Sequence, residues 1–173
     1  NKGNTSISGL RKWIADGVTR PKSSYLYING NLAIFRIVLP YLVANQTIRN
    51  SYNSQAQMDE KGFNTLISNK FGEIVRNTVF TTMGIKNVSM KDDNKYATRF
   101  YNRNNNAPGY KTGDWTPIGG GGGWFMSAYE LGTFMSNLRY NDSILAPSTR
   151  KLMDDNFLGW ETPAEFKNFQ GKY

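Results

Sequence analysis

The apolar run from Leu32 to Val43 limits what this chain can fold into more than any other stretch. It falls short of the roughly 18 residues that a membrane span needs, so it predicts a buried core helix. Pro40 lies inside the run, lacks an N–H and crowds the preceding turn, so it should kink or end that helix. Directly in front stand Tyr27-Ile28-Asn29. In an extended segment side chains alternate, so this phenol and carboxamide share one side. A helix packed behind them would fix the pair for relaying a proton and holding a substrate amide. Tyr-x-Asn is also a common tripeptide, and an ordinary strand or turn end leading into a core helix is the plain alternative.

At 173 residues the chain suits a single domain, residues 1–173, with a real core; 39% hydrophobic and 14% aromatic content argue against disorder. It opens on Asn1-Lys2-Gly3-Asn4-Thr5-Ser6, which is neither a starting Met nor a signal peptide, and it closes on Gly171-Lys172-Tyr173. A fragment or processed piece is the expectation. The absence of Cys and His excludes disulfides, thiolate metal sites, His-ligated zinc and a Ser-His-Asp triad within these residues. The balance is basic, with 21 Lys and Arg against 13 Asp and Glu giving +8. A nucleic-acid stripe clusters cations among aromatics. The nearest approach is Arg99-Phe100-Tyr101-Asn102-Arg103, which is short. A solvated basic surface without a nucleic-acid partner is therefore expected, with anionic cell-wall polymers or membrane surfaces left open.

Apolar spacing organises the rest. Ile7, Leu10, Trp13 and Ile14 predict a short amphipathic helix over residues 8 to 16. Leu66, Ile67, Phe71, Ile74, Val75, Thr78 and Val79 predict a second over residues 63 to 80, ended by Met83-Gly84 with Gly as left-handed cap. Residues 45 to 62 read as a loop, and residues 85 to 118 as a long irregular surface segment. Ser127-Ala128-Tyr129-Glu130 is a capping box, opening a helix striped by Leu131, Phe134, Met135 and Leu138. Pro147-Ser148-Thr149 starts another short helix.

Three features invite chemistry and have plainer readings. The run Gly119 to Gly123 lacks the Gly-Lys-Ser/Thr ending of a phosphate loop, so close packing of backbone against a neighbour is expected. Asp92-Asp93 and Asp154-Asp155 should diverge onto solvated faces. Lys111-Thr112-Gly113 matches a motif of penicillin-recognising serine enzymes, yet it lacks β-branched flanks and reads as a loop sequence.

Taken in order, the segments resemble the serine β-lactamase and penicillin-binding-protein superfamily, in its class C-like and esterase branch. The matching stretches are Tyr27 through Phe35, Val79 through Ile85, Ala107-Pro108-Gly109-Tyr110, Gly122 through Phe134, and Ile144 through Trp160. The resemblance as a whole spans about residues 7 to 161. The family's Ser-x-x-Lys helix precedes Tyr-x-Asn, and residues 1 to 26 contain none; its closing Lys-Thr-Gly or His-x-Gly strand follows Leu158-Gly159-Trp160. Lys111 stands on the wrong side of the glycine run for that role.

The resemblance implies a mainly α chain with short β segments, the helical lobe of the α+β β-lactamase/DD-peptidase-like fold. The chain would be the central portion of an exported serine hydrolase, periplasmic or extracellular, without the nucleophile Ser, its Lys or the third motif. The intact parent would act on a β-lactam, a D-Ala-D-Ala cell-wall peptide or an ester through an acyl-serine. Tyr27 would assist proton transfer, and Asn29 would bind the substrate amide or orient the Lys. No metal or organic cofactor is implied, and the piece itself should be inactive. Apolar surface left bare predicts self-association or domain swapping. A non-catalytic cell-wall peptide binder and a basic polyanion-binding module are the alternatives.

Overall fold

The computed structural model describes residues 6–17, 29–44, 46, 48–50, 59–93, 95–103 and 108–158. The chain is mainly helical, and its β structure, among the described residues, is three isolated antiparallel bridges. It divides into two compact units, Asn1–Ser127 and Ala128–Tyr173.

In the first unit, α1 (Ile7–Asp16) forms where the 3-4 spacing of Ile7 and Leu10 predicts it, and both are buried. Ser6 caps it by accepting from the Gly9 N–H at 3.1 Å. Helix α2 (Asn29–Ala33) runs through a turn at Ile34 into α3 (Phe35–Val43). The interruption therefore falls at Ile34, where the Ile37 N–H bonds in 3₁₀ fashion (3.0 Å) and the Val38 N–H in α fashion (3.1 Å) to one carbonyl. Pro40 sits within α3 and does not end it; three further residues follow, and its carbonyl accepts from the Ala44 N–H at 2.9 Å. The apolar run is buried on one face only, through Ala33, Ile37 and Pro40, while Leu32, Phe35, Leu42 and Val43 are exposed.

The central helix is α4 (Glu60–Val75), against which α1, α3 and a 3₁₀ turn (Thr116–Ile118) pack. It begins three residues before Phe63, because Asp59 accepts from the Gly62 N–H at 2.8 Å and so satisfies a free helix donor. The core joins Ile7 and Leu10 to Ala33, Ile37, Ile48, Phe63 and Ile67. Each Ile, Leu or Phe side chain among them contributes about 1.5–3 kcal/mol by leaving water.

A π-helical turn, Arg76–Phe80, continues α4. The Thr78 hydroxyl donates to the Ile74 carbonyl at 2.7 Å, and the Thr81 N–H reaches back five residues to Arg76 (2.8 Å). The π turn adds one residue to the helical ladder. It displaces the predicted stripe: Thr78 is exposed, while Phe80 is buried and meets Trp124 edge-on at 4.8 Å. Gly84, at φ +74°, ends the segment as expected. The next stretch is irregular but not merely superficial, since Ile85, Val88 and Met90 are core residues.

In the second unit, α5 (Ala128–Tyr140) starts directly after Ser127, and α6 (Pro147–Asp155) has Pro in its first turn. Neither helix has a buried residue; the expected stripe leaves Leu131 51% exposed and Phe134, Met135 and Leu138 half-buried. Ion pairs join this unit instead. Arg139 Nη1 lies 2.8 and 2.9 Å from the Asp154 carboxylate, Arg150 pairs with Asp142, and Lys151 with Asp155 at 2.7 Å. The adjacent Asp154 and Asp155 thus point to different partners, as expected.

Candidate functional site

Helix α2 is fastened from both sides. Gly30 lies against Trp13 of α1, so closely that a Cβ there would overlap the indole Cζ3. On the other side Gly120, at φ +92°, brings its backbone to the Leu32 carbonyl and Ala33; a Cβ would sit 2.8 Å from that oxygen. Gly119 approaches Met90 and Phe71, and Gly123 approaches Trp115, with 2.5 Å between its would-be Cβ and the Trp115 Cβ. The glycine run therefore does what its composition predicts. At Gly119, Gly120 and Gly123 its backbone enters spaces where no side chain fits, and it joins α2, α4 and the segment around Met90. Asn29 is the first residue of the helix so held; its side chain, and Tyr27 and Ile28 entirely, lie outside the described residues.

Four residues after Leu32 the buried face of α3 carries Arg36, with no exposed surface. Burial pushes its guanidinium pKa below the ordinary value, though the group stays cationic. It lies seven residues from Asn29, about 10 Å along a helix axis. It supplies a fixed positive charge in the low-dielectric interior, downstream of the corner where α2 begins at Asn29. The sequence reading passed over it; the signal was a charge at the helical spacing of Ala33, Ile37 and Pro40.

Asp92 corrects the expectation of solvated acids. Asp93 is exposed, but the Asp92 side chain is wholly covered. Its Oδ2 accepts from the Thr112 N–H at 3.0 Å, and its own N–H donates to the Gly113 carbonyl at 3.0 Å. Lys111 Nζ donates to the Asp92 carbonyl at 3.3 Å and stands 3.9 Å from Oδ1, which accepts no hydrogen bond among the described residues. Lys111-Thr112-Gly113 is thus a loop sequence that clasps a buried carboxylate, and its ammonium neutralises that charge. Beside it Lys91 and Asp114 bridge at 3.4 Å, and the Trp115 N–H reaches the Met90 carbonyl at 2.8 Å.

One Ser-x-x-Lys spacing does occur, at Ser148-Thr149-Arg150-Lys151 on α6. Lys151 is exposed and bound to Asp155 at 2.7 and 3.0 Å, an i,i+4 ion pair on the helix surface. Among the described residues no three carboxylates gather as metal ligands would, and no helix is long and apolar enough to cross a membrane. No family model, curated protein or solved structure matches this chain.

Proposed function

We propose that this chain is the helical portion of a β-lactamase-like serine hydrolase, exported from the cell, whose Tyr27 and Asn29 form one wall of the acyl-transfer site. The observation that carries the reading is the order of five segments along the chain, from Tyr27-Ile28-Asn29 through Ala107-Pro108-Gly109-Tyr110 and the glycine run to Leu158-Gly159-Trp160. Support also comes from the packing of that glycine run on the helix Asn29 opens, which gives the corner a rigid back.

In the intact enzyme a Ser, deprotonated by a neighbouring Lys, attacks the carbonyl of a β-lactam, a D-Ala-D-Ala peptide or an ester. The C–N or C–O bond breaks, and water then releases the acyl group. Tyr27 relays the proton that Lys took from Ser on to the leaving group, and Asn29 binds the substrate amide or orients the Lys. These 173 residues alone are inactive on this reading, so measurable nitrocefin or p-nitrophenyl ester turnover by the purified chain would overturn it. In the full reading frame, Tyr27→Phe is expected to lower kcat by about 10²–10⁴-fold. The apolar face of Leu32, Phe35, Leu42 and Val43 supports self-association of the isolated chain, which light scattering reads as a mass above 19.6 kDa.

A further inference from the structure

Phe100 and Tyr110 face each other across an antiparallel bridge and exchange both backbone hydrogen bonds, at 3.0 and 2.9 Å. A directly opposed pair shares a face, and here the rings stand 6.3 Å apart with 35° between their planes. On the other face Tyr101 lies over Gly109, where any Cβ would come within 2.7 Å of its ring. Arg99 beside it donates to the Gly109 carbonyl at 3.0 Å. Just upstream Lys95 Nζ is 4.8 Å from the centre of the Tyr96 ring. All four rings are open to solvent: Tyr96 80%, Tyr101 69%, Tyr110 57% and Phe100 47% exposed.

From Lys95 to Gly113 the sequence carries Lys95, Arg99, Arg103 and Lys111 and no Asp or Glu. Lys111 neutralises Asp92, whereas Lys95, Arg99 and Arg103 meet no carboxylate among the described residues. The cluster Arg99 to Arg103 looks too short in sequence to track a polyanion, but the bridge lays Tyr110 alongside it and Lys95-Tyr96 extends it.

We propose that this ribbon binds single-stranded nucleic acid, with bases stacking on the exposed rings and phosphates meeting Lys95, Arg99 and Arg103. Unpaired bases offer flat faces that match the rings, and the backbone supplies the complementary charge. A lipid surface fits less well. The rings occupy both faces of the ribbon rather than one plane, and the connection between its strands reads Asn104-Asn105-Asn106, which is polar.

Fluorescence anisotropy of the full chain with a labelled oligothymidylate tests the assignment. Binding is expected to weaken with salt, with a slope of about 0.7 in log K per phosphate neutralised, and Arg103→Gln should remove about one such contact. The Phe100→Ala, Tyr110→Ala double variant should bind about tenfold or more weakly. Tyr96→Ala, at the most exposed ring, gives the same direction should the double variant show an altered circular dichroism melt. No binding at low salt sinks the idea. So does equal affinity for baseless polyphosphate or an acidic polysaccharide, for duplex DNA, or for phosphatidylserine vesicles.

Discussion

An alanine methyl at Gly120 would stand 2.8 Å from the Leu32 oxygen and 3.2 Å from the Ala33 Cα, at a φ of +92° that already disfavours a side chain. Gly120→Ala is therefore expected to destabilise the chain by about 1–3 kcal/mol. Gly132, within α5, has nothing within 4 Å of its would-be Cβ, so Gly132→Ala should stabilise its helix by about 0.5–1 kcal/mol. Urea midpoints followed by far-UV circular dichroism check both signs. Asp114 offers a pH test. Its partial burial raises its pKa, but the Thr116 side-chain and backbone hydrogen bonds and Lys91 outweigh that, and the net shift is downward. A lowered folded pKa gives stability that is present above the ordinary carboxylate value and lost as pH falls through the folded one. Asp114→Asn should flatten that acid limb of a stability–pH profile; an unchanged limb would remove Asp114 from the account. At this scale the sequence revealed the glycines' purpose, because five in a row admit few explanations. It concealed Asp92, whose burial depends on pairing with residues some twenty positions later, a separation that no local pattern reports.

Helix α4 shows what periodicity captures and where it fails. Phe63, Ile67, Phe71 and Ile74 are buried at the spacing that predicts them, since repeated apolar positions leave one face to cover. Beyond Val75 the 3.6-residue rule gives Thr78 and Val79, whereas the π turn brings in Phe80. A π turn adds a residue to the ladder, a local event that apolar counting does not weigh. The start of α4 was missed for a similar reason, because its cap is one carboxylate outside the apolar stripe. Asp59→Ala should cost about 1 kcal/mol, measured as a lowered denaturation midpoint. Ile67→Ala, at a site with no exposed surface, should cost about 2–5 kcal/mol in the same measurement. Equal losses from the two changes would contradict the assignment of α4 as the centre of the core.

Across the whole molecule the two units differ in what holds them. The first has a continuous apolar core, while α5 and α6 contribute no buried residue and rely on ion pairs, of which those between exposed groups are each worth about 0–1 kcal/mol. Native-state hydrogen exchange should therefore show α4 amides strongly protected and those of α5 and α6 weakly so, with added salt widening the gap. Equal protection would mean that the second unit has a stabilising contribution not visible in its burial. The helical class was legible because four helices announce themselves by spacing. The fastening of α2 was not legible, since it is made by distant glycines. Leu32 and Gly120 are separated by 88 positions (32 to 120). A chain emerging from the ribosome can wind α2 and α3 early, but their fastening waits until those later residues have been synthesised. Throughout that interval α2 and α3 lack a fixed place, and the order of synthesis sets when they gain one.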